Sequence, residues 1–246
     1  MRSFVPFAIL GLLAQPVAAF DLKAMSEEER EIFRQEVRAY LMDNPQVIMD
    51  AVAVLEQRQQ DAQAQADFDL VSDNKADIFN DGVSWVGGNP EGDITLVEFL
   101  DYRCGYCRRA HDEIAKLLET DGNIRLIVKE FPILGEQSVL ASRFAIATHR
   151  IAGDDAYKTM NDALMTYAGE INLRNLRRLA ESFSFDADAI EAEMNSEGVS
   201  EQIRRTRALA QRMQIQGTPT FVLEDELLRG YLPYDQMLRI VDEKRG

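Results

Sequence analysis

The segment Thr95–His111, TLVEFLDYRCGYCRRAH, decides the fold of this chain. It begins with an apolar run that is typical of a buried β-strand and continues through a Cys-Gly-Tyr-Cys turn into a helical pattern. Cys104 and Cys107 are the only cysteines in the sequence. Two thiols separated by two residues, at the point where a strand leads into a helix, predict a redox-active dithiol.

Residues 1–19 have the pattern of a secretory signal peptide. Arg2 gives a positive start, Val5–Leu13 is apolar, and the segment ends in the small residues Ala18 and Ala19, after which we expect cleavage. The apolar stretch is shorter than the ~20 residues that span a bilayer, although an uncleaved anchor is the alternative interpretation. The mature chain is therefore predicted to be exported.

Export changes the interpretation of the cysteines. In an oxidising compartment an even number of cysteines usually indicates structural disulfides. A structural disulfide stabilises mainly by closing a sizeable loop, and a bond between Cys104 and Cys107 closes almost none. The spacing therefore indicates a chemical role for the pair.

The charge of the chain excludes one broad class of function. The sequence has 27 basic and 42 acidic residues, which gives a net charge of −15. Nucleic-acid binding needs a basic surface, so we expect no nucleic-acid partner. Beyond solubility, the charge indicates little else.

Residues 20–80 are predicted to form a helical arm. Ser26 and Glu29 have the spacing of a capping box, and Pro45 separates two helical patterns that each carry an apolar stripe. Residues 56–67 are polar on all sides, which is typical of a helix that bridges two units. The stripe packs either on the main domain or on the same stripe of other chains. Because the arm has little else to pack on, we favour a homo-oligomer joined through it, with the polar segment as a linker.

Residues 81–246 are predicted to form the main domain. Ile94–Leu100 and Ile124–Phe131 read as strands on either side of the dithiol helix, which makes a βαβ unit with parallel strands. Residues 137–213 have five helical patterns, too many for one crossover, and are interpreted as an inserted all-helical subdomain. Gly217–Leu223 then resumes the sheet, and a returning strand and a closing helix complete the domain.

Together these motifs resemble the thioredoxin superfamily, and more narrowly the DsbA family of bacterial exported thiol:disulfide oxidoreductases. The resemblance covers residues 83–246 and includes Val128–Gly135 (VKEFPILG) and the Gly217-Thr218-Pro219 segment. The chain is most similar to the ScsC-like branch, the suppressor of copper sensitivity proteins, which has N-terminal helical extensions. Gly105, Tyr106 and Thr218 resemble the disulfide isomerase DsbC. The implied fold is an α/β thioredoxin fold with a helical insertion, and the implied compartment is the periplasm.

The roles of the individual residues are predicted from their positions and from this resemblance. Cys104 lies just before a helix, whose first turn should lower its pKa and make it the nucleophile. Cys107, one turn further, should be buried and act as the resolving thiol. Pro219 should lie against the dithiol, and a cis peptide bond would explain a proline at the start of an apolar strand. The residues predicted to support the site are Thr218, Gly105 and Tyr106, together with Glu98 as a buried proton acceptor and Lys129 as the basic partner of Glu98.

Three functions remain open at this point. The favoured one is a disulfide isomerase or reductase, which acts on cysteine-containing exported proteins and exchanges electrons with a membrane thiol reductase or oxidase. The second is a dithiol oxidase of the DsbA type, and the third is a copper-tolerance protein that binds copper through the dithiol. His111 is a conceivable third ligand, but we interpret it as a solvated helix residue, and we expect no metal site and no cofactor.

Overall fold

The computed structural model describes residues 24–246, and the predicted signal peptide lies outside this range. The chain divides into two compact units between Gln59 and Gln60. The sequence suggested a boundary at residue 80, but Val71 and Ile78 are buried in a core of the second unit. Their burial explains why the division comes earlier in the sequence.

Helix α1 (Glu27–Asp43) is the main element described in the first unit. Ser26 caps it and forms the predicted capping box with Glu29. None of its residues is buried. Helix α2 (Gln46–Asp73) follows and continues into the second unit. Large apolar side chains that are exposed in the first unit are Ile32, Phe33, Val37, Tyr40, Met42, Val47, Ile48, Met49, Val52, Val54 and Leu55.

The second unit contains a five-stranded mixed sheet. Its strands are β1 (Trp85–Gly88), β2 (Ile94–Leu100), β3 (Ile124–Glu130), β4 (Thr220–Leu223) and β5 (Glu226–Arg229), in the spatial order β1-β3-β2-β4-β5. Strands β2 and β3 are parallel, as predicted, and the other pairs are antiparallel. Before β1, the Asp81 carboxylate accepts hydrogen bonds from the backbone N–H groups of Val83 and Ser84.

The remaining helices follow the predicted order. They are α3 (Lys75–Phe79), α4 (Gly105–Asp121), α5 (Glu136–Ala152), α6 (Asp154–Thr166), α7 (Leu173–Ser182), α8 (Ala187–Met194), α9 (Glu197–Arg212) and α10 (Tyr234–Arg245). Helix α4 connects the parallel strands, and α5–α9 form the insertion between β3 and β4. The predicted α/β fold class is confirmed. Within residues 24–246, no helix combines the length and the apolar character needed to cross a membrane.

The sheet separates two hydrophobic cores, and the alternation along β2 shows which residues face which core. Val97 and Phe99 belong to the core that also contains Val71 and Ile78. Leu96 and Leu100 belong to the opposite core, together with both cysteines. Since side chains alternate along a strand, Glu98 lies on the same face as the cysteines.

Candidate active site

The dithiol lies where the chain leaves β2 and enters α4. Cys104 is the N-cap of α4, with 8% of its surface exposed, and Cys107 is fully buried in the first turn. Both are free thiols. The first-turn N–H groups of a helix have no partners within the helix, and together with its dipole they favour a negative charge at this position. The sulfur of Cys104 is therefore in a suitable place for a reactive thiolate.

The Thr218–Pro219 segment lies directly against Cys104. The Thr218–Pro219 peptide bond is cis, as the sequence suggested. The Cys104 thiol donates a hydrogen bond to the Thr218 carbonyl oxygen at 3.1 Å. The loop is held by two further bonds, from the Gly230 N–H to the Pro219 carbonyl oxygen at 3.0 Å and from the Thr220 hydroxyl to the Gly217 carbonyl oxygen at 2.8 Å. Residues that are far apart in the sequence thus form one wall of the site.

Asp101 connects the dithiol loop to the loop after β3. Its side chain is fully buried. One carboxylate oxygen accepts the Arg103 N–H at 2.8 Å, and the other accepts the N–H groups of Ile133 and Leu134 at 2.8 and 3.0 Å. The side chains of Ile133 and Leu134 are exposed. The sequence analysis did not identify this contact, although an aspartate between an apolar strand and the Cys-x-x-Cys motif was a visible signal.

Glu98 lies in the core on the dithiol side of the sheet, where the sequence analysis expected a buried acid. Only 3% of its surface is exposed, and its Oε1 atom has no hydrogen-bond partner among residues 24–246. Burial raises the pKa of Glu98 to about 8, and the carboxyl of Glu130 contributes to the rise. Burial also raises the pKa of Cys107, and Glu98 is the next largest cause. The two groups are therefore electrostatically coupled.

The prediction that Lys129 is the partner of Glu98 is wrong. In the parallel register of β2 and β3, Lys129 pairs with Phe99, whose side chain lies in the other core. Its ammonium group donates to the Asp81 carboxylate at 2.6 Å and to the Asp77 carbonyl oxygen at 2.9 Å. Because neighbouring residues on a strand point to opposite faces, Lys129 and Glu98 lie on different sides of the sheet.

A second buried carboxyl, Glu130, was missed in the sequence. The hydroxyl groups of Tyr102 and Tyr157 both donate to its Oε1 atom at 2.6 Å, and Asn161 donates to the Tyr102 hydroxyl at 3.1 Å. Burial raises the pKa of Glu130 to about 7, while the two tyrosine hydrogen bonds oppose the rise. A charged residue at the end of the apolar run IRLIVKEF was the available signal. This network joins the dithiol loop, β3 and α6.

The outer edge of the site is formed by the residues around Tyr106. Gly105 has open space where a side chain would begin, and 59% of the Tyr106 surface is exposed. The Arg109 guanidinium lies 5.6 Å from the Tyr106 ring centroid and 5.5 Å from that of Tyr231. His111 contacts Asp162 at 3.2 Å. Among the described residues, no group of three or more histidine, cysteine, aspartate or glutamate side chains is placed to hold a metal ion.

Comparison with known families identifies the fold. Residues 95–242 match the model of the DSBA-like thioredoxin domain. The chain belongs to this family. Residues 29–62 also match the N-terminal domain of the copper resistance protein ScsC. Together the two matches place the chain in the ScsC-like part of the DsbA family of oxidoreductases, as the sequence motifs suggested.

Solved structures of family members are similar to this chain. A thioredoxin-like oxidoreductase from Silicibacter pomeroyi DSS-3 is 40% identical, with a TM-score of 0.66, over 70% of this chain and 98% of that one. The thiol-disulfide exchange protein alpha-DsbA2 from Wolbachia pipientis is 25% identical, with a TM-score of 0.69, over 74% of this chain and 98% of that one. A periplasmic thioredoxin-like protein from Salmonella enterica serovar Typhimurium is 29% identical, with a TM-score of 0.62, over 69% and 94%.

The first curated relatives are much longer proteins. The chain is 27% identical, over 150 residues, to the Na(+)/H(+) antiporter NhaA 3 of Salinispora tropica. The matched region is 61% of this chain but 22% of the antiporter. The chain therefore spans about a fifth of the length of that relative, and the similarity concerns one part of it.

Proposed function

We propose that this protein is an exported thiol:disulfide oxidoreductase that acts on protein disulfides in the periplasm, mainly as an isomerase or reductase. The observation that carries the proposal is the arrangement of the two thiols. Cys104 is at the N-terminus of α4, against the Thr218 carbonyl oxygen, and Cys107 is buried behind it on the same face as Glu98. Cys104 keeps 8% of its surface exposed and Cys107 none, so Cys104 is the thiol that a substrate meets first.

In the first step the Cys104 thiolate attacks one sulfur of a substrate disulfide. A bond forms between Cys104 Sγ and that sulfur, the substrate S–S bond breaks, and the second substrate sulfur leaves as a thiolate. The N-terminus of α4 stabilises the attacking charge. Pro219 and Thr218 form the wall against which the substrate lies.

The mixed disulfide can then be resolved in two ways. In isomerisation, another substrate thiolate attacks the substrate sulfur, so a new substrate disulfide forms and Cys104 leaves as a thiolate with no net oxidation. In reduction, the Cys107 thiolate attacks Cys104 Sγ, which releases the substrate thiol. The substrate gains two electrons, and the enzyme is left with a Cys104–Cys107 disulfide.

Cys107 must lose its proton before it attacks, and Glu98 is the proposed acceptor. The pKa of Glu98 is about 8, so a minor fraction of this group is a carboxylate near neutral pH. Transfer of the proton from Cys107 to that carboxylate replaces one buried anion by another. It therefore avoids the free-energy cost of placing two anions in the same buried region.

The isomerase or reductase direction is supported by the residues Gly105, Tyr106 and Thr218, which resemble those of a disulfide isomerase. The test measures insulin reduction, recovery of scrambled ribonuclease and oxidation of a reduced substrate, with Cys104→Ser as the inactive control. We expect the first two activities to dominate. Strong oxidation of reduced substrate without recovery of scrambled ribonuclease would instead indicate an oxidase, and the reduction potential of the dithiol would then be high.

The arm is proposed to join several copies of the chain. Its apolar side chains, including Val37 and Ile48, are exposed, and no other part of residues 24–59 covers them. Contiguous exposed apolar surface is typical of protein interfaces. Light scattering should show an oligomer for the full chain and a smaller mass for the Val37→Glu/Ile48→Glu variant. The variant Gln35→Glu, at an exposed polar position of α1, is the control. An unchanged mass in the double variant would reject this role.

The proposed partners follow from the proposed activity, and the proposed compartment follows from the predicted signal peptide. The partners are cysteine-containing exported proteins and a membrane thiol reductase or oxidase that resets the dithiol. The periplasmic relative from Salmonella supports the compartment. Cell fractionation, with N-terminal sequencing of the mature protein, should place it in the periplasm with cleavage after about Ala19. A mature chain that remains in the cytoplasm would refute this assignment.

Copper binding by the dithiol is the second candidate function. It is favoured by the match of residues 29–62 to a copper resistance protein domain and by the preference of Cu(I) for thiolates. Copper titration of the reduced protein and of Cys107→Ser tests it. Stoichiometric binding that is lost in the variant would support a copper role, and the absence of stoichiometric binding would remove it.

A further inference from the structure

A groove lies beside the Thr218–Pro219 wall. It has a volume of about 510 Å³. It is lined by Gln214, by residues 216–220, by Arg229 at the end of β5 and by the following Gly230. The remaining wall is Gln63 of α2. Thr218 lines the groove and also accepts the hydrogen bond from the Cys104 thiol at 3.1 Å, so one residue links the groove to the reactive sulfur.

The wall from α2 is fixed to the sheet by an ion pair. The Asp67 carboxylate accepts two hydrogen bonds from the Arg229 guanidinium, at 2.5 and 2.8 Å. Only 8% of the Asp67 surface is exposed, and Gln63 donates to the same carboxylate at 2.9 Å. One turn further along the helix, Val71 is buried in the core. The sequence suggested a solvated linker for residues 56–67, but Asp67 is buried and belongs to the second unit.

The lining of the groove is polar without being strongly charged. Gln214 and Gln216 are exposed, and their side-chain amides make no hydrogen bond within residues 24–246. The charge of Arg229 is balanced by Asp67. Amide groups both donate and accept hydrogen bonds, which suits polypeptide backbone and uncharged polar side chains. The exposed residues Ile133 and Leu134, which Asp101 holds to the dithiol loop, are by contrast apolar.

We propose that this groove binds the segment of a substrate polypeptide that flanks its reacting cysteine, and that it selects uncharged polar residues there. This inference rests on the proposed function, because it concerns the substrate of the same dithiol. Gln63 forms the outer wall, and Gln214 and Gln216 supply free amides. The reaction of a small disulfide needs only Cys104, whereas the reaction of a polypeptide disulfide also needs the groove.

The experiment fills the groove and compares two substrates. In Gln63→Trp the indole occupies the groove. In the control Gln65→Trp the same change is made two residues further along α2, at an exposed residue that does not line the groove and that donates to Asp69 at 2.9 Å. Rate constants are measured with 2-hydroxyethyl disulfide and with a disulfide-linked peptide. We expect the peptide rate to fall by about two- to tenfold in Gln63→Trp, because the indole keeps the peptide from a hydrogen bond with one of the free amides. The small-disulfide rate should stay within error in both variants.

A second pair of measurements tests the polarity of the groove without changing α2. Two peptides are compared that differ only in the residue beside the cysteine, serine or leucine. We expect wild type to prefer the serine peptide, and Gln214→Leu/Gln216→Leu to lose that preference.

Each outcome has a defined meaning. An unchanged peptide rate in Gln63→Trp, an equal fall for both substrates, or an unchanged preference in the double variant would overturn this inference alone. A wild-type protein that reacts with neither disulfide would overturn the proposed function, and this inference with it.

Discussion

Replacing Glu98 by glutamine should make the stability of the protein less dependent on pH. The pKa of Glu98 is raised from 4.5 to about 8 in the folded state. Between these values the folded state holds a proton that the unfolded state has released, so the free energy of unfolding falls as pH rises. At about 1.4 kcal/mol per pH unit, this amounts to about 3 kcal/mol between pH 4.5 and pH 7. A glutamine at this position does not titrate and removes that contribution.

The measurement is urea unfolding of the reduced protein at both pH values. Trp85, the only tryptophan in the chain, is buried in the second unit and reports on it by fluorescence. Relative to wild type, Glu98→Gln should gain about 3 kcal/mol of stability on going from pH 4.5 to pH 7. The control Glu119→Gln changes an exposed residue of α4 and should follow wild type. Parallel pH profiles for wild type and Glu98→Gln would refute the burial of an ionisable carboxyl here.

Four further outcomes follow from the same interactions. Resolution of a mixed disulfide by the buried thiol should accelerate as pH rises through about 8 in wild type, and stopped-flow kinetics should show a flatter profile in Glu98→Gln. Lys129→Met leaves Asp81 unpaired and should cost about 3–5 kcal/mol in urea unfolding, with partial recovery in Lys129→Met/Asp81→Asn and no change in the dithiol reduction potential. Because its pKa is lowered to about 2, Asp81 should keep its stabilising effect above pH 3.8 and lose it as pH falls through about 2 in acid titrations. Tyr157→Phe removes a donor to Glu130, so carboxyl NMR titration should show a higher pKa for Glu130. A reduction potential that changes in Lys129→Met, or a Glu130 pKa that does not rise, would contradict these assignments.

The two carboxyls of the site show how one buried strand pair can support redox chemistry. Glu98 and Glu130 lie on β2 and β3, burial raises the pKa of both, and the carboxyl of Glu130 adds to the rise at Glu98. Glu98 has an oxygen without a hydrogen bond in the described chain, whereas Glu130 is satisfied on one oxygen by two tyrosines. Because its pKa of about 8 lies close to neutral pH, Glu98 can both release and take up a proton there, which suits a group that exchanges protons.

Helix α2 enters both the proposed oligomer contact and the proposed substrate groove. The sequence separates the arm from the catalytic part at residue 80, but the later turns of α2 pack on the sheet through Asp67 and Val71. The helix that carries the apolar stripe of the first unit therefore also forms a wall of the proposed substrate groove. Substitutions at Gln63 and at Val37 should consequently separate substrate binding from oligomer formation.

The sequence by itself determined the local elements and the chemistry of the dithiol. The apolar run Ile94–Leu100, the spacing of Cys104 and Cys107, and the helical patterns of the insertion are local signals, so strand β2, helix α4 and helices α5–α9 were predictable. The buried acid at Glu98 was predicted from the resemblance to the DsbA family, and the structure buries this residue. These features depend on neighbours along the chain.

The tertiary structure alone decided the pairing of residues that are distant in the sequence. Lys129 and Glu98 were expected to be partners, but the register of β2 and β3 places them on opposite faces, where Lys129 meets Asp81. The two tyrosines on Glu130 and the ion pair between Asp67 and Arg229 likewise join residues from separate elements. Which groups meet across a sheet depends on strand register and helix docking, because a shift of one residue moves every side chain to the other face. No local pattern in the sequence records that choice.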